Sequence, residues 1–228
     1  MKYLIVNGDD FGASRGINRG VIEAHQRGIL TSASLLVDGA ASEETAALAR
    51  RTPTLSVGLH VDLRDGRDCR AELRRQFERF EELMHDAPTH LDSHHNVHRD
   101  ARWLPYFREF AEMHDVRLRD DPPIHCFSRF YGQWNGQSHP EHLSAASLAR
   151  MLTSELEDGV TELSCHPGYV DPEFPSSYTV EREVELRSLC DPMLRRVLSE
   201  ESIRLLNHRD AARLIGSSRG NRASCRSS

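Results

Sequence analysis

No stretch of the 228-residue chain stays apolar for long, whereas crossing a bilayer takes about 20 consecutive apolar residues. The opening run Met1-Lys2-Tyr3-Leu4-Ile5-Val6-Asn7 turns polar too soon for a secretory leader. A soluble, cytoplasmic protein without a membrane partner is expected. Cysteine is sparse: Cys69, Cys126, Cys165, Cys190 and Cys225 stand apart, odd in number and without a CxxC pair. That argues against a thiolate zinc site and for free thiols rather than a disulfide framework. Positive charge is not in excess, the formal net charge being -6. No nucleic-acid partner is expected, because phosphate binding rests on clustered Lys and Arg. The arginines interleave with Glu and Asp, as between residues 70 and 82, which is the pattern of a solvated helix face. Neither an internal repeat nor a low-complexity block is visible. Residues 216–228, rich in Ser, Arg and Gly, are expected to form a flexible tail behind one domain spanning residues 1–215.

What the chain does have is alternation. Short β-like runs at residues 3–8, 31–37, 55–60, 89–94, 116–119, 161–166 and 203–207 are interleaved with helical patterns. The helical stretches are 14–27, 42–51, 69–85, 104–114, 144–158, 180–200 and 209–215. Strands and helices in turn predict parallel βα units. Within the strands, Leu55, Val57 and Leu59 share one face while Ser56, Gly58 and His60 share the other. His90, Asp92 and His94 fall together opposite Leu91, and Glu162, Ser164 and His166 opposite Leu163 and Cys165. Parallel strands covered by helices on both faces should be apolar throughout. One apolar face and one small or polar face instead predict an α/β fold of another kind. It is a distorted or incomplete (β/α) barrel of about seven parallel strands, with helices outside and a cavity within.

The chemistry-bearing residues fall at the C-terminal ends of those strands, the rim where barrels build active sites. Asn7-Gly8-Asp9-Asp10-Phe11-Gly12 sets two carboxylates side by side after the first strand. Neighbouring residues on a regular strand point to opposite faces. Both can serve one site only if the chain turns there, which the flanking glycines permit; the alternative is an acidic turn capping the next helix. His90-Leu91-Asp92-Ser93-His94-His95-Asn96-Val97-His98 packs four histidines and an aspartate into nine residues, a donor mixture suited to zinc or a similar divalent ion. His60 ends the third strand, and Cys165-His166-Pro167-Gly168-Tyr169 puts an imidazole before a Pro-Gly turn. For each of these two, a structural histidine competes with a functional one.

Taken together, these segments resemble the YdjC-like family of carbohydrate deacetylases, including its ChbG and HpnK groups. The matching runs are residues 4–12, Val57-Gly58-Leu59-His60, residues 89–95 with Val97-His98, and Cys165-His166-Pro167. Weaker echoes are Thr31-Ser32-Ala33-Ser34 and Arg182-Glu183-Val184-Glu185-Leu186. The similarity runs in order from about residue 2 to residue 209. It implies a distorted barrel, N-deacetylation of an acetylated amino sugar or short oligosaccharide, and one divalent metal ion. Carried onto this chain, the metal ligands are Asp10, His60 and His94; zinc is favoured, with magnesium or another divalent ion compatible. There are two departures. Asn96 stands where the family's third consecutive histidine falls, and Val61-Asp62-Leu63-Arg64-Asp65-Gly66-Arg67 leads almost directly into a helix where relatives often carry an insertion.

Amide hydrolysis needs a base for water and an acid for the departing amine. Asp9 is expected as the base and His166 as the acid, with Arg119 orienting Asp9 or the substrate. Asp92, His98 and Tyr169 are expected to contact substrate or to support a ligand. The expected partner is a small N-acetylated sugar, and a homo-oligomer is compatible with the sequence. Two rival readings are a phosphoesterase-like metal hydrolase, with His90, Asp92 and His98 as further ligands, and a sugar-binding protein without catalysis.

Overall fold

The computed structural model describes residues 1–64, 66–172 and 174–224, with the backbone alone for 217–224. The chain opens with β1 (Lys2–Phe11), α1 (Arg15–Arg27), β2 (Ser32–Leu35), α2 (Ser42–Arg50), β3 (Ser56–Val61), α3 (Cys69–Met84) and β4 (His90–Ser93). A 3-10 turn at His94–Arg99 leads into α4 (Leu104–Met113), β5 (Arg117–Leu118) and β6 (Ile124–Phe127). A small hairpin, β7 (Gln133–Trp134) and β8 (Gln137–Ser138), precedes a second 3-10 turn at Pro140–Leu143. The chain closes with α5 (Ala145–Glu155), β9 (Gly159–Cys165), α6 (Val180–Leu189), α7 (Pro192–Glu200), β10 (Ile203–Leu206) and α8 (His208–Ser224).

Local chemistry sets these boundaries. The Ser14 hydroxyl accepts from the Ile17 N–H and the Asp68 carboxylate from the Ala71 N–H, so each caps the helix that follows it. Ile17, Val21 and Ala24 on α1, and Leu73, Phe77 and Phe80 on α3, recur at three- or four-residue spacing and are buried. The single helix expected over 180–200 is two. Proline cannot continue a helix but suits its first turn, so Asp191-Pro192 ends α6 and starts α7, with Asp191 accepting from the Met193 N–H. At the C-terminus α8 continues beyond residue 215 to Ser224. The rest of the segment read as a tail, residues 225–228 with Cys225, lies outside the described residues. Among the described residues no helix is long and apolar enough to cross a membrane.

The sheet is the expected incomplete barrel. Seven parallel strands follow one another in the order β5-β4-β3-β2-β1-β9-β6. The eighth, β10, pairs with the first half of β1 (Lys2–Ile5) on the edge that β2 takes over from Asn7 onward. Its outer face is apolar and packs on the helices, with Leu4, Val6, Leu59, Leu91 and Leu163 fully buried. Its inner face is polar, and Asn7, Ser34, His90, Asp92 and Glu162 are buried there too. Curvature shows in Arg119, just beyond β5, whose Nε donates to Glu162 on β9 at 2.7 Å. Gly58 is required by this crowding: a Cβ there would lie 2.4 Å from the His90 ring.

Candidate active site at the rim of the barrel

The Asp9–Asp10 pair is delivered by a bulge. Pairing of β1 with β2 runs Asn7 to Ser32 and Gly8 to Ala33, then resumes at Phe11 with Leu35, which leaves one extra residue in β1. Asp10 absorbs the irregularity with a φ of 64°, a left-handed conformation that aspartate tolerates better than most residues. The turn therefore falls on Asp10 itself, between the two glycines. It lets both carboxylates reach the cleft, which is a cavity of about 590 Å³ lined by Asp9, Asp10, His60, His94 and His166 among others.

On Asp10 three groups converge. Its Oδ1 lies 3.0 Å from Nδ1 of His94 and 3.5 Å from Nε2 of His60, while Oδ2 accepts from Arg182 Nη2 at 2.6 Å. His60 is fixed from behind: its Nδ1 lies 2.6 Å from Asp92 Oδ1, in register across β3 and β4. Asp92 also accepts from Ser34 Oγ at 2.6 Å, and Ser34 accepts from Asn7 Nδ2 at 2.7 Å. His94 begins the 3-10 turn, where His95 and Asn96 hold φ of 54° and 53°. Two successive left-handed residues favour asparagine at the second.

Potential ligand atoms of Asp10, His60 and His94 lie within 4.8 Å of one another. A carboxylate and two imidazoles, one oriented by a second carboxylate, form a donor set that fits a divalent cation. The electrostatics agree. Burial opposes the charged form of His60, yet Asp92, Asp10 and Asp9 drive its pKa up to about 10. Burial likewise opposes ionisation of Asp10, but the two histidines and Arg182 hold its carboxyl well below the usual range. Carboxylate so concentrated calls for positive charge, which a bound cation would provide.

Asp9 belongs to a different network. Arg119 grips it with two hydrogen bonds of 2.8 and 2.7 Å and also reaches Asp92 at 2.6 Å. Asn7 donates to the same carboxylate at 2.8 Å. Burial favours the neutral acid, but the guanidinium outweighs it and lowers the Asp9 pKa. Across the cleft, His166 Nε2 lies 4.0 Å from Asp9 Oδ2. Burial pulls the His166 pKa down. Its backbone N–H donates to Glu185, which also accepts from the Tyr178 hydroxyl. Burial raises the Glu185 carboxyl to about 8.

Thus Asp9, Asp10, His60, His94 and His166 meet in one cleft, with Asp92 and Arg119 directly behind them. His98 stays beneath: it is buried, 2.6 Å from Ser93 Oγ and 3.3 Å from Asp120. Tyr169 does not join them. Its hydroxyl donates to Glu23 on α1 at 2.6 Å and Arg19 covers its ring at 4.2 Å. Arg182, Glu185, Tyr178 and Tyr131 also stand at or behind this cleft, and no strand-end pattern in the sequence marks them. The first two lie in the run Arg182-Glu183-Val184-Glu185-Leu186, whose only signal was that weak echo.

Two overlapping segments of the chain, residues 3–70 and 64–200, match the family model described as YdjC-like protein. The chain belongs to the YdjC-like family. It is similar to a carbohydrate deacetylase of Geobacillus stearothermophilus, with 33% identity over 253 aligned positions covering 93% of this chain and 99% of the relative. It is also similar to a chitooligosaccharide deacetylase of Klebsiella pneumoniae, with 34% identity, 92% of this chain and 99% of the relative. Those 253 positions outnumber the 228 residues of the chain, so the Geobacillus relative carries residues absent here. Among solved structures, an Enterococcus faecalis protein named for a proposed role in cellobiose-phosphate cleavage superposes with TM-score 0.70 at 25% identity, covering 92% of this chain and 98% of that one. A family 4 carbohydrate esterase from Streptomyces lividans shares the fold at TM-score 0.58 and 12% identity, covering 90% of this chain and 91% of that one.

Proposed function

We propose that the protein is a metal-dependent carbohydrate N-deacetylase that cleaves the acetamido group of an amino sugar or short oligosaccharide to acetate and free amine. The observation that carries this reading is the meeting of a one-aspartate, two-histidine donor set with Asp9 on one side and His166 on the other. Asp10, His60 and His94 would hold one divalent ion, zinc by preference for imidazole and carboxylate donors. When bound, that ion supplies Lewis acidity toward water and the acetyl carbonyl.

The chain's own residues divide the proton work. Asp9, kept ionised by Arg119 and Asn7, accepts the proton of the attacking water as its oxygen bonds to the acetyl carbon. His166, in its doubly protonated form, gives the Nε2 proton to the amine as the C–N bond breaks, and the proton taken up by Asp9 restores it across the 4.0 Å between them. Asp92 holds His60 Nδ1, fixing which nitrogen faces the cleft, and Arg182 anchors Asp10. The irregular segment that follows β9, without the turn expected at Pro167-Gly168, sets His166 at the rim, opposite Asp9.

The test is acetate release from N-acetylglucosamine and its oligomers, with metal analysis of the same sample. Release that depends on one tightly bound ion per chain is the expected result; no release from any acetylated amino sugar rejects the reading. A two-metal phosphoesterase would need a second site, and ligand atoms of Asp9, His60 and Asp92 also lie within 4.8 Å of one another. There, however, Arg119 already bridges Asp9 and Asp92. The fixed guanidinium supplies the positive charge a second ion would bring, which favours the single-metal reading.

A further inference from the structure

Pyranose rings present a C–H face that packs on aromatic rings, combining dispersion with loss of bound water. The cleft wall offers such a ring in Tyr131, which is 40% exposed. It stacks on Tyr178 at 5.0 Å and 8°, and meets His166 edge-on at 5.9 Å. Tyr178 is itself fixed, since its hydroxyl donates to Glu185 and accepts from the Gly132 N–H at 3.1 Å. One face of Tyr131 is therefore taken by a rigid neighbour.

The backbone around the ring is equally constrained. A Cβ on Gly132 would meet Leu143 Cδ1 at 2.5 Å, so the segment lies tight against the second 3-10 turn. The β7–β8 hairpin is tied to α6, because Gln133 Nε2 donates to Glu181 at 2.9 Å and Ser138 Oγ donates to the same carboxylate. A rigid ring beside His166 is preorganised to hold a flat ligand without an ordering cost. The opposite side of the cleft differs. No described residue of the β3–α3 connection lines the cavity.

We propose that Tyr131 is the stacking platform for the pyranose ring that carries the acetamido group, with the far face of that sugar left uncovered. The cleft then accepts acetylated amino sugars that continue into longer chains, not only a free monosaccharide. This rests on the deacetylase reading for its substrate class.

The experiment measures binding and turnover separately. N-acetylglucosamine and its β-1,4-linked trimer are titrated calorimetrically into metal-loaded His166→Ala protein, to hold turnover down, with and without Tyr131→Ala or Tyr131→Phe. Kinetics are run on the same Tyr131 variants with His166 intact. Tyr131→Ala should weaken sugar binding and raise KM about tenfold, while kcat moves less than about threefold. Metal content should be unchanged. Tyr131→Phe, which keeps the face, should stay within about twofold of the parent. The trimer should bind at least as well as the monomer.

Equal binding in Tyr131→Ala, an equal loss in Tyr131→Phe, or a fall in kcat at constant KM overturns the platform. Acceptance of the monomer with rejection of the trimer overturns the uncovered face. If the protein binds the trimer through Tyr131 yet the unmodified chain releases no acetate, the deacetylase reading falls and the platform stands. If it binds no acetylated sugar at all, the platform falls as well.

Discussion

Along β1, β3, β4 and β9 the cleft is backed by charge. Asp9, Asp92 and Glu162 share the Arg119 guanidinium, and Asp10 takes Arg182. Along residues 128–131 and 174–185 it is walled by rings and hydroxyls, and Glu185 is held by the Tyr178 hydroxyl and the His166 N–H. The two buried glutamates report the contrast. Arg119 outweighs burial at Glu162 and brings its pKa from 4.5 down to about 2. At Glu185 burial prevails and raises it from 4.5 to about 8. One wall is suited to gathering a cation and ionised groups, the other to seating a sugar beside His166.

Removing a member of the charged wall should have the largest effect. His60→Ala should lose stoichiometric metal and acetate release together, by more than the roughly 100-fold ceiling usual for a supporting residue; metal analysis beside the assay checks it, and normal activity would remove His60 from the ligand set. On the other wall, His166→Ala should retain metal yet lose about 10²–10⁴ in kcat, the usual contribution of a positioned acid. Asp92→Asn leaves His60 in place without its carboxylate and should cost about 10–100-fold in metal affinity or turnover. An unaltered metal titration would show that the Asp92 contact does not tune the ligand.

The smallest effects are those of pH on stability, and they should have opposite signs on the two walls. A depressed carboxyl stabilises the fold above its unfolded pKa and ceases to do so as pH falls, so Glu162 should contribute an acid limb between about 4.5 and 2. A raised carboxyl does the reverse, so Glu185 should erode stability as pH rises from about 4.5 through 8. Melting curves across pH for Glu162→Gln and Glu185→Gln check this. Each variant should flatten only its own limb; a common response would mean the walls are not electrostatically separate.

The charged wall was legible in the sequence because its residues stand on strand ends, where two-residue alternation and position on the rim single them out. His60 and His94 follow from that pattern, as does His166 on the facing wall, and the family resemblance named the proposed ligand set. The aromatic wall was not, because its residues come from irregular chain and from a helix. Arg182 and Glu185 sit in a charged run marked only by a weak family echo, and only tertiary packing buries them. Tyr131 carries no periodicity. In the fold, β6 went unseen because a four-residue strand beside Pro122-Pro123, with His125 exposed and Ile124 and Phe127 buried, offers little alternation to count. The α6–α7 break was visible in Asp191-Pro192 but was overridden by the helical pattern on both sides. Tyr169 was drawn in by its nearness to His166 along the chain, whereas its side chain reaches α1.

The strand order starts at β5 and ends at β6, and among the described residues no backbone ladder joins those two edges. Arg119, leaving β5, spans that seam to reach Glu162 on β9. Arg99 Nη2, which donates to Cys126 Sγ on β6 at 3.3 Å, crosses it as well; a closure made by side chains gives way more readily than a ladder of amides, so the seam is where partial unfolding should start. Amide exchange at residues 117–118 and 124–127 should then outpace that of β1 and β9. Because the Arg119 guanidinium steadies Asp9, each such opening would also disarm the enzyme for as long as it lasts.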